Sequence, residues 1–538
     1  MAVSRPDHKS LIALGQTHAK GKRWQDALQC FQDAHRGSPN DPEPVFRIAN
    51  LLREVGRTSD AIAIYLQAIG LKPDHFAAHN NLADLYRETG RLADAISHYR
   101  LAQSLAPQHA EISNNLAAAL HDQGHYNEAI EHASLAITLK ENYAKAFFNR
   151  GVSHHKLRDL NSAVLDYNRA RSCGMQTAEL FSNCGVAELE LGHTDSAIQR
   201  LRDALKIDPD YVEAEWNLSL ALLSQGQFDE GWRRYESRWR WSGFPSAQLI
   251  PGLPMWSGKS SLKERIVLIY CEQGLGDTIQ FARYLRLIQR QEPKKVLMIA
   301  QRSLHTLLKH NYPFIDLIRR DEIQAQGAEL QVPLLSLPLA FSTRIDCIPD
   351  QAPALTSPNR LLDPAELQNR VRPRVGVVWS GGSRPDRTAH ESVNQRRNIA
   401  FSHISSFQSA QASFFSFQKG EPAESNLQYE LAQLWKCKNF VNLAPLLNDF
   451  SDTASWLAEM DLLISVDTST AHLAAAMGKR VWLLNRFSGC WRWLLGREDS
   501  PWYPTLRIYR QPKEGDWESV VKRVRQDLDR FVVDFRSS

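Results

Sequence analysis

The chain has 538 residues, of which 43% are hydrophobic and 23% charged, and its formal net charge is +4. This length exceeds what one hydrophobic core holds and predicts two to four domains, and the composition excludes a largely disordered chain. The mild charge gives no indication of nucleic acid binding or of an anionic membrane surface. Any phosphate binding must therefore be local.

The seven cysteines are scattered and form no CxxC pair, so the sequence predicts neither a disulfide framework nor a zinc site. No apolar run reaches the roughly 18 residues needed to span a bilayer. The first residues, MAVSRPDHKSLIALGQ, lack the pattern of a signal peptide. We therefore expect a cytoplasmic protein without a membrane span.

A repeat of 34 residues fills the first half of the chain. Its turn position is occupied in order by Lys22, Gly56, Gly90, Gly124, Arg158, Gly192 and Gly226. Small residues recur five residues later and seven residues earlier, which predicts paired helices in close contact. This period and pattern resemble the tetratricopeptide repeat, and we assign seven units to residues 8–242. Such hairpins stack into a superhelix lined by the first helix of each unit.

One asparagine recurs in the first helix of five units, at Asn81, Asn115, Asn149, Asn183 and Asn217. Asparagine is a poor residue for a helix interior, so five in register need a reason. A carboxamide both donates and accepts, which suits it to the main chain of an extended acceptor peptide. A comparable ladder is a feature of the O-GlcNAc transferase family. The alternative is that these asparagines only satisfy neighbouring helix ends.

A Pro-, Gly- and Ser-rich linker at residues 243–262 ends the repeat register. Short apolar runs then alternate with helical stretches: RIVLIY, KVLMIA, RVGVVW, SFFSFQ, DLLISV and RVWLLN. Runs that are apolar along their whole length are typical of parallel strands covered on both faces, which predicts an α/β fold. We expect one half at residues 263–360 and another at residues 372–538, with the site at the carboxyl ends of the strands.

Several stretches of this region together resemble glycosyltransferase family 9, the heptosyltransferases, and bacterial tetratricopeptide-linked relatives: EQGLGDTIQFARY, SLPLAF, VGVVWSG, SFQKG, SVDTSTAHLAAAMGK and SPWYPTLRIYRQ. The resemblance implies a GT-B fold of two Rossmann-like halves, the first for the acceptor and the second for a nucleotide sugar. It also implies an inverting transfer without a metal or another cofactor. Some relatives glycosylate flagellin.

The stretch DTSTAHLAAAMG follows a predicted strand of the second half. Asp467 or Thr468 is expected to cap the helix, whose free amides and hydroxyls at Thr468 and Ser469 form an anion site. His472 lies one turn further on the same face. Family members hold donor phosphates with D-T/S-G-x-x-H, in which Ser469 here replaces the glycine. The alternative is an ordinary helix cap with a packed histidine.

A second loop, residues 380–398, is expected to compensate the phosphate charge. It contains Ser380 and Gly381 together with four arginines, Arg384, Arg387, Arg396 and Arg397. Glycine lets main-chain amides approach a phosphate, and arginine binds it through two donors. Gln418 and Lys419, at the end of another strand, are expected to contact the nucleotide. A solvated loop is the alternative for any single arginine.

The stretch CEQGLGDTIQFARY contains Gly274, Gly276 and Asp277 at the end of the first predicted strand. With Gln280 three residues after Asp277, a capping box at a helix beginning at Asp277 is a complete structural explanation. The alternative, favoured by the resemblance, is that Asp277 is the general base that removes the acceptor proton. Gly274, Gly276 and Gln280 then belong to the acceptor site.

The leading hypothesis is a protein O-glycosyltransferase whose repeats capture a protein acceptor, with flagellin suggested by the resemblance. One alternative is a transferase for lipopolysaccharide or another glycan, and another is a non-catalytic adaptor. No motif identifies the donor nucleotide or its sugar.

Overall fold

The computed structural model describes residues 7–244, 250–324, 326–349, 354–358, 367, 370–382 and 394–537. The chain forms two compact units, Met1–Pro209 and Asp210–Ser538. The last helix pair of the repeat array therefore belongs to the second unit. In the described residues, no helix is both long and apolar enough to cross a membrane.

Fourteen helices follow one another in the described residues 7–244, arranged as seven antiparallel pairs. They are α1 (His8–Lys20), α2 (Trp24–Gly37), α3 (Pro42–Glu54), α4 (Thr58–Leu71), α5 (Phe76–Glu88), α6 (Leu92–Leu105), α7 (Ala110–Asp122), α8 (Tyr126–Leu139), α9 (Ala144–Lys156), α10 (Leu160–Ser172), α11 (Ala178–Glu190), α12 (Thr194–Ile207), α13 (Val212–Ser224) and α14 (Phe228–Tyr235). The predicted helical repeat array is confirmed.

The turn inside each pair requires a left-handed backbone. All seven turn residues that define the repeat have a positive φ, from 55° at Lys22 to 88° at Gly124. Glycine adopts this conformation without a Cβ penalty, which explains why five of the seven are glycine. Lys22 and Arg158 adopt it at a steric cost.

Small residues face aromatic rings inside the pairs. A Cβ added to Gly151 would lie 2.9 Å from the Tyr167 ring, and one added to Gly15 would lie 2.6 Å from Phe31. Each aromatic ring therefore fills the space left by the missing side chain, and the paired helices make the close contact that the sequence predicts.

The first sheet of the second unit has four parallel strands in the order β3-β2-β1-β4. They are β1 (Ile266–Tyr270), β2 (Lys295–Ile299), β3 (Ile315–Leu317) and β4 (Leu330–Pro333). The helices of this part are α15 (Leu275–Phe281), α16 (Leu285–Gln289), α17 (His305–Asn311) and α18 (Leu337–Ala340).

The second sheet has six parallel strands in the order β10-β9-β8-β5-β6-β7, which is the strand order of a Rossmann fold. They are β5 (Arg374–Val378), β6 (Ser413–Ser416), β7 (Phe440–Asn442), β8 (Leu462–Val466), β9 (Val481–Asn485) and β10 (Leu506–Arg510). The described helices are α19 (Phe401–Ser405), α20 (Ala423–Leu434), α21 (Phe450–Ala458), α22 (Ser469–Ala476) and α23 (Trp517–Ser537). The strand order reverses between β5 and β8, so the loops after these strands flank the crevice where such sheets bind ligands.

Within the second unit, the last repeat packs directly on the α/β part. The Trp232 ring of α14 lies edge-on to Trp491 at 5.3 Å and to Trp502 at 6.5 Å between centroids. Trp493 and Tyr503 are also fully buried. These C-terminal aromatics therefore form a packed core that includes the last repeat.

Candidate active site

Asp277 lies in the first turn of α15, whose start differs from the prediction. The helix begins at Leu275 rather than Asp277, and Gly274 is the N-cap. Because Gly274 has no side chain to accept a hydrogen bond, Asp277 reaches back from the third helical position. Its Oδ2 accepts the Gly274 N–H at 2.9 Å. Asp277 thus takes part in the cap, but as the partner of Gly274 and not of Gln280.

The other oxygen of Asp277 forms an ion pair with Arg492. The Arg492 side chain is only 9% exposed and that of Asp277 is 18% exposed. Burial lowers the pKa of Arg492, but the charge of Asp277 together with Cys490 and Tyr235 outweighs burial and raises that pKa. The pair thus holds a carboxylate at the end of β1, partly open to solvent.

His472 of α22 packs against the backbone of Gly276. A Cβ on Gly276 would lie 2.8 Å from the His472 Cδ2 atom, so only glycine permits this contact. The ring stacks on Trp493 at 4.8 Å, and its Nδ1 lies 3.0 Å from the Tyr503 hydroxyl. Burial lowers the pKa of His472 to about 4, although Asp467 at 3.7 Å opposes that shift. His472 is therefore a neutral, packed side chain near neutral pH.

The loop after β8 begins α22 as the sequence predicts. Thr468 is the N-cap, and its Oγ1 accepts the Ala471 N–H at 3.4 Å. Ser469 is the first helical residue, and Asp467, Thr468 and Ser469 are all partly accessible. The start of this helix is therefore available to an anion at the strand-order reversal.

Arg397 joins the two loops at that reversal. Its Nη1 donates to the Asp467 carbonyl at 2.8 Å, and a Cβ on Gly381 would collide with its Nη2. The Gly381 N–H donates to Asn398 Oδ1 at 2.8 Å. Ser380, Gly381 and Arg397 are thus gathered beside the start of α22, and Arg396 directly precedes Arg397 in the chain. Arg384 and Arg387 lie outside the described residues.

Gln418 and Lys419 have structural partners. The Gln418 side chain is buried, accepts the Ser380 N–H at 2.9 Å and donates to the Ser380 carbonyl at 3.0 Å. Lys419 donates to the Ala444 carbonyl at 2.9 Å and lies 3.3 Å from Glu424. Both residues hold the loops that follow β5 and β6.

Two polar residues near Asp277 are completely enclosed. Gln280 is fully buried, and neither atom of its amide has a partner in the described part of the chain. Glu272 pairs with the buried Arg238 at 3.1 Å and accepts the Leu335 N–H. Because both side chains are buried, neither is accessible to an acceptor molecule in this conformation.

The asparagine ladder divides into two classes. The amides of the first three members donate to the preceding repeat, with Asn81 bound to Asn50 at 2.9 Å and Asn149 bound to Asn114 at 2.9 Å. Asn115 donates at 3.3 Å to Asn80. Asn183 and Asn217 make no side-chain hydrogen bond to the described residues. The first three thus bind asparagine side chains inside the preceding repeat's first helix and not the helix ends that the alternative names. The carboxamides of the last two have no side-chain partner among the described residues.

Sequence reasoning missed Arg492 and Gln273. Arg492 Nη2 donates to Gln273 Oε1 at 3.3 Å beside Asp277. Arg492 could have been found from the sequence CWRWLLG, where it lies between two tryptophans. A cation in such an apolar run needs an anionic partner.

Comparison with known protein families gives matches both in the repeat array and in the α/β part of the chain. Residues 46–110, 109–142 and 188–231 match tetratricopeptide repeat profiles. Residues 384–484 match the profile of glycosyltransferase family 9 (heptosyltransferase). The chain joins tetratricopeptide repeats to a region of the family 9 type. This confirms the resemblance seen in the sequence, and the matched stretch includes His472 but not Asp277.

The chain is similar to Protein FlbA of Caulobacter vibrioides, with 27% identity over 60% of this chain and 56% of that protein. The chain thus spans little more than half the length of this relative. Solved structures similar to part of the chain include the APC/C hetero-tetramer Cut9-Hcn1, at 19% identity over 40% of this chain and 43% of that one, with a TM-score of 0.37. Another is YrrB, a TPR protein with an unusual peptide-binding site, at 23% identity over 34% and 95%, with a TM-score of 0.31.

Proposed function

We propose that this protein is a glycosyltransferase that moves a sugar from a nucleotide donor to Ser or Thr of a protein acceptor. The observation that carries the proposal is the union of tetratricopeptide repeats with a family 9 region in one chain. Repeats of this kind are protein-binding surfaces, so a protein is the acceptor class they favour. Flagellin as that acceptor rests on the resemblance to flagellin-modifying relatives.

In the proposed reaction, the two parallel sheets are the halves of a GT-B fold. The donor phosphates bind at the start of α22 and beside Arg396 and Arg397, where a helix N-terminus and guanidinium groups favour an anion. No metal is assigned a role. Electrostatic stabilisation of the leaving nucleotide is the task of these groups.

Asp277 is proposed as the general base of an inverting transfer. The acceptor hydroxyl oxygen bonds to the anomeric carbon as the bond from that carbon to the donor phosphate breaks. The electron pair leaves with the nucleotide, and the hydroxyl proton passes to the Asp277 carboxylate. Among the described residues, each carboxylate oxygen has one partner and keeps one lone pair, and the side chain remains partly exposed.

A glycan acceptor is the second candidate, because the matched family is described as heptosyltransferase. The two candidates differ in which molecule gains the sugar. In the glycan case the mass increment appears on lipopolysaccharide or another glycan, while proteins keep their masses.

The test compares intact masses of flagellin and other abundant secreted proteins from source cells that lack the chain and carry either wild type or Asp277→Ala. We expect a mass increment on a protein with wild type and none with Asp277→Ala. Asp516→Ala is the matched control, because Asp516 also caps a helix of the second unit, accepting the Ser519 N–H at 3.0 Å. Equal protein masses in all strains would contradict a protein acceptor.

A further inference from the structure

A line of side-chain contacts connects the last repeat helix to Asp277. The Tyr235 hydroxyl of α14 accepts a hydrogen bond from Gln273 Nε2 at 2.7 Å. Gln273 Oε1 accepts from Arg492 Nη2 at 3.3 Å, and the same guanidinium pairs with Asp277. All four residues belong to the second compact unit.

Arg492 is held from other sides as well. Its Nη1 donates to Cys490 Sγ at 3.0 Å, and its guanidinium carbon lies 4.3 Å from the centre of the Trp491 ring. The backbone of Gln273 is also anchored, because its main-chain carbonyl accepts a hydrogen bond from Gln301 Nε2 at 2.7 Å. A long side chain that is buried and bound at several atoms has little freedom to turn.

These contacts fix the plane of the Asp277 carboxylate. Arg492 binds one oxygen, and the Gly274 N–H binds the other at 2.9 Å. Asp277 lies on a helix of only seven residues that follows a glycine. Without the guanidinium, only the amide contact would orient the carboxylate.

The Tyr235 hydroxyl is used differently from its equivalents. Tyr235 is the eighth residue of its helix, the place held by Phe31 and Tyr167 in other repeats. Phe31 has no hydroxyl, and the Tyr167 hydroxyl is buried without a partner in the described residues. At the same helix position, the hydroxyls of Tyr65 and Tyr99 donate within their own repeats, to Asn50 and Asp84. The Tyr235 hydroxyl instead accepts from Gln273 outside its repeat, and this contact distinguishes it.

We propose that Arg492 is a positioning residue for Asp277 and that Gln273 and Tyr235 support it, so that the last repeat helix sets the orientation of the base. The inference rests on the proposed function only for the role of Asp277. Both the repeat and the α/β part contribute to one site within the second unit.

The test measures sugar transfer by purified full-length variants. The acceptor is the protein that gains the mass increment in the intact-mass test above, isolated from cells that lack the chain. A small-molecule extract of the same cells supplies the donor. We expect Arg492→Met to lower kcat about 100-fold with little change in the KM for acceptor, the loss typical of a displaced reacting group. Arg492→Lys restores part of the rate.

Tyr235→Phe is expected to lower kcat about threefold, the effect of one neutral hydrogen bond. Tyr167→Phe, the matched control at the same helix position, retains the wild-type rate. Because Tyr235 acts through Arg492, the double variant Tyr235→Phe, Arg492→Met is no slower than Arg492→Met alone.

A wild-type kcat for Arg492→Met, or an Arg492→Lys variant no faster than Arg492→Met, would overturn the positioning role. Equal rates for Tyr235→Phe and Tyr167→Phe would overturn the contribution of the repeat helix. If Asp277→Ala transfers sugar at the wild-type rate, the proposed base fails instead. Thermal midpoints provide a test that does not depend on sugar transfer. The effects of Tyr235→Phe and Arg492→Met on the midpoint should be less than additive in the double variant. Strict additivity would show that Tyr235 and Arg492 are not coupled.

Discussion

At the scale of single residues, Gly276 and His472 meet although the sequence assigns them to different halves. The missing side chain of Gly276 lets the His472 ring lie on its backbone. The histidine is therefore more fully explained by packing than by phosphate contact, whereas Thr468 and Ser469 beside it remain accessible. Donor-phosphate binding by this stretch stays a prediction, and the structure gives His472 a packing role within it.

His472 gives the second unit a defined response to acid. Its pKa is about 4 in the fold, against about 6.5 in an unfolded chain, because burial disfavours the charged ring. The unfolded state binds more protons between these values, so this contribution is complete above pH 6.5 and is lost as the pH falls towards 4. Relative to His472→Phe, wild type should lose about 2 kcal/mol more unfolding free energy between pH 7.5 and pH 5.

Urea unfolding followed by tryptophan fluorescence measures this loss. Every tryptophan except Trp24 lies in the second unit, so the signal reports on that unit. The same pH dependence in wild type and His472→Phe would show that the ring does not titrate as described.

At the scale of elements, the backbone conformation of the repeat turns decides what a glycine contributes. Gly56 has a φ of 76°, whereas Gly70 lies inside α4, and a Cβ at either position would meet nothing within 4 Å. We therefore expect Gly56→Ala to destabilise the first unit by about 1 kcal/mol through left-handed strain. Gly70→Ala should stabilise it by about 0.5 kcal/mol through helix propensity.

Unfolding followed by circular dichroism at the helix band distinguishes these two alanine variants. Since both sites belong to one repeat and both are exposed, local packing does not separate them. Changes of the same sign would contradict the explanation based on φ.

The regularity of an element determined how well it could be predicted. All seven repeats were found because their spacing recurs, and six strands coincide with apolar runs that the sequence displays. Strands β3 and β7 have only three residues each, and β4 and β10 contain polar residues, so none of the four forms a long apolar run. The start of α15 was misplaced because Gly274 caps through its backbone, which leaves no side-chain signal.

At the scale of the whole molecule, the asparagine ladder offers a test of acceptor binding separate from folding. Asn149 donates to the buried Asn114, whereas Asn183, at the same helix position, has no partner in the described residues. We expect Asn149→Ala to lower the free energy of unfolding by about 1 to 2 kcal/mol because Asn114 loses its donor. Asn183→Ala should leave stability unchanged.

Acceptor binding, unlike stability, should change in the Asn183→Ala variant. Asn183→Ala is expected to weaken it between two- and tenfold, or about 0.5 to 1.5 kcal/mol for one hydrogen bond to an acceptor main chain. Calorimetric titration of the full chain measures this affinity. Unchanged affinity would indicate that this asparagine does not contact the acceptor.

The site was predictable only where local sequence carries it. Asp277 and Thr468 lie at helix starts that directly follow β1 and β8, a local pattern that places each residue at the carboxyl edge of its own sheet. Asp277 and Arg492 lie far apart in the sequence, so no local spacing of residues predicts their ion pair. The full burial of Gln280 likewise follows from tertiary packing and not from its helix position.

The most direct measurement is the mass of the isolated acceptor protein during incubation with the purified full chain and the small-molecule extract of its cells. We predict a sugar-sized increment with wild type and Asp516→Ala, and no increment with Asp277→Ala. An increment of equal rate with Asp277→Ala, or sugar appearing on a glycan while the protein mass stays constant, would contradict this prediction.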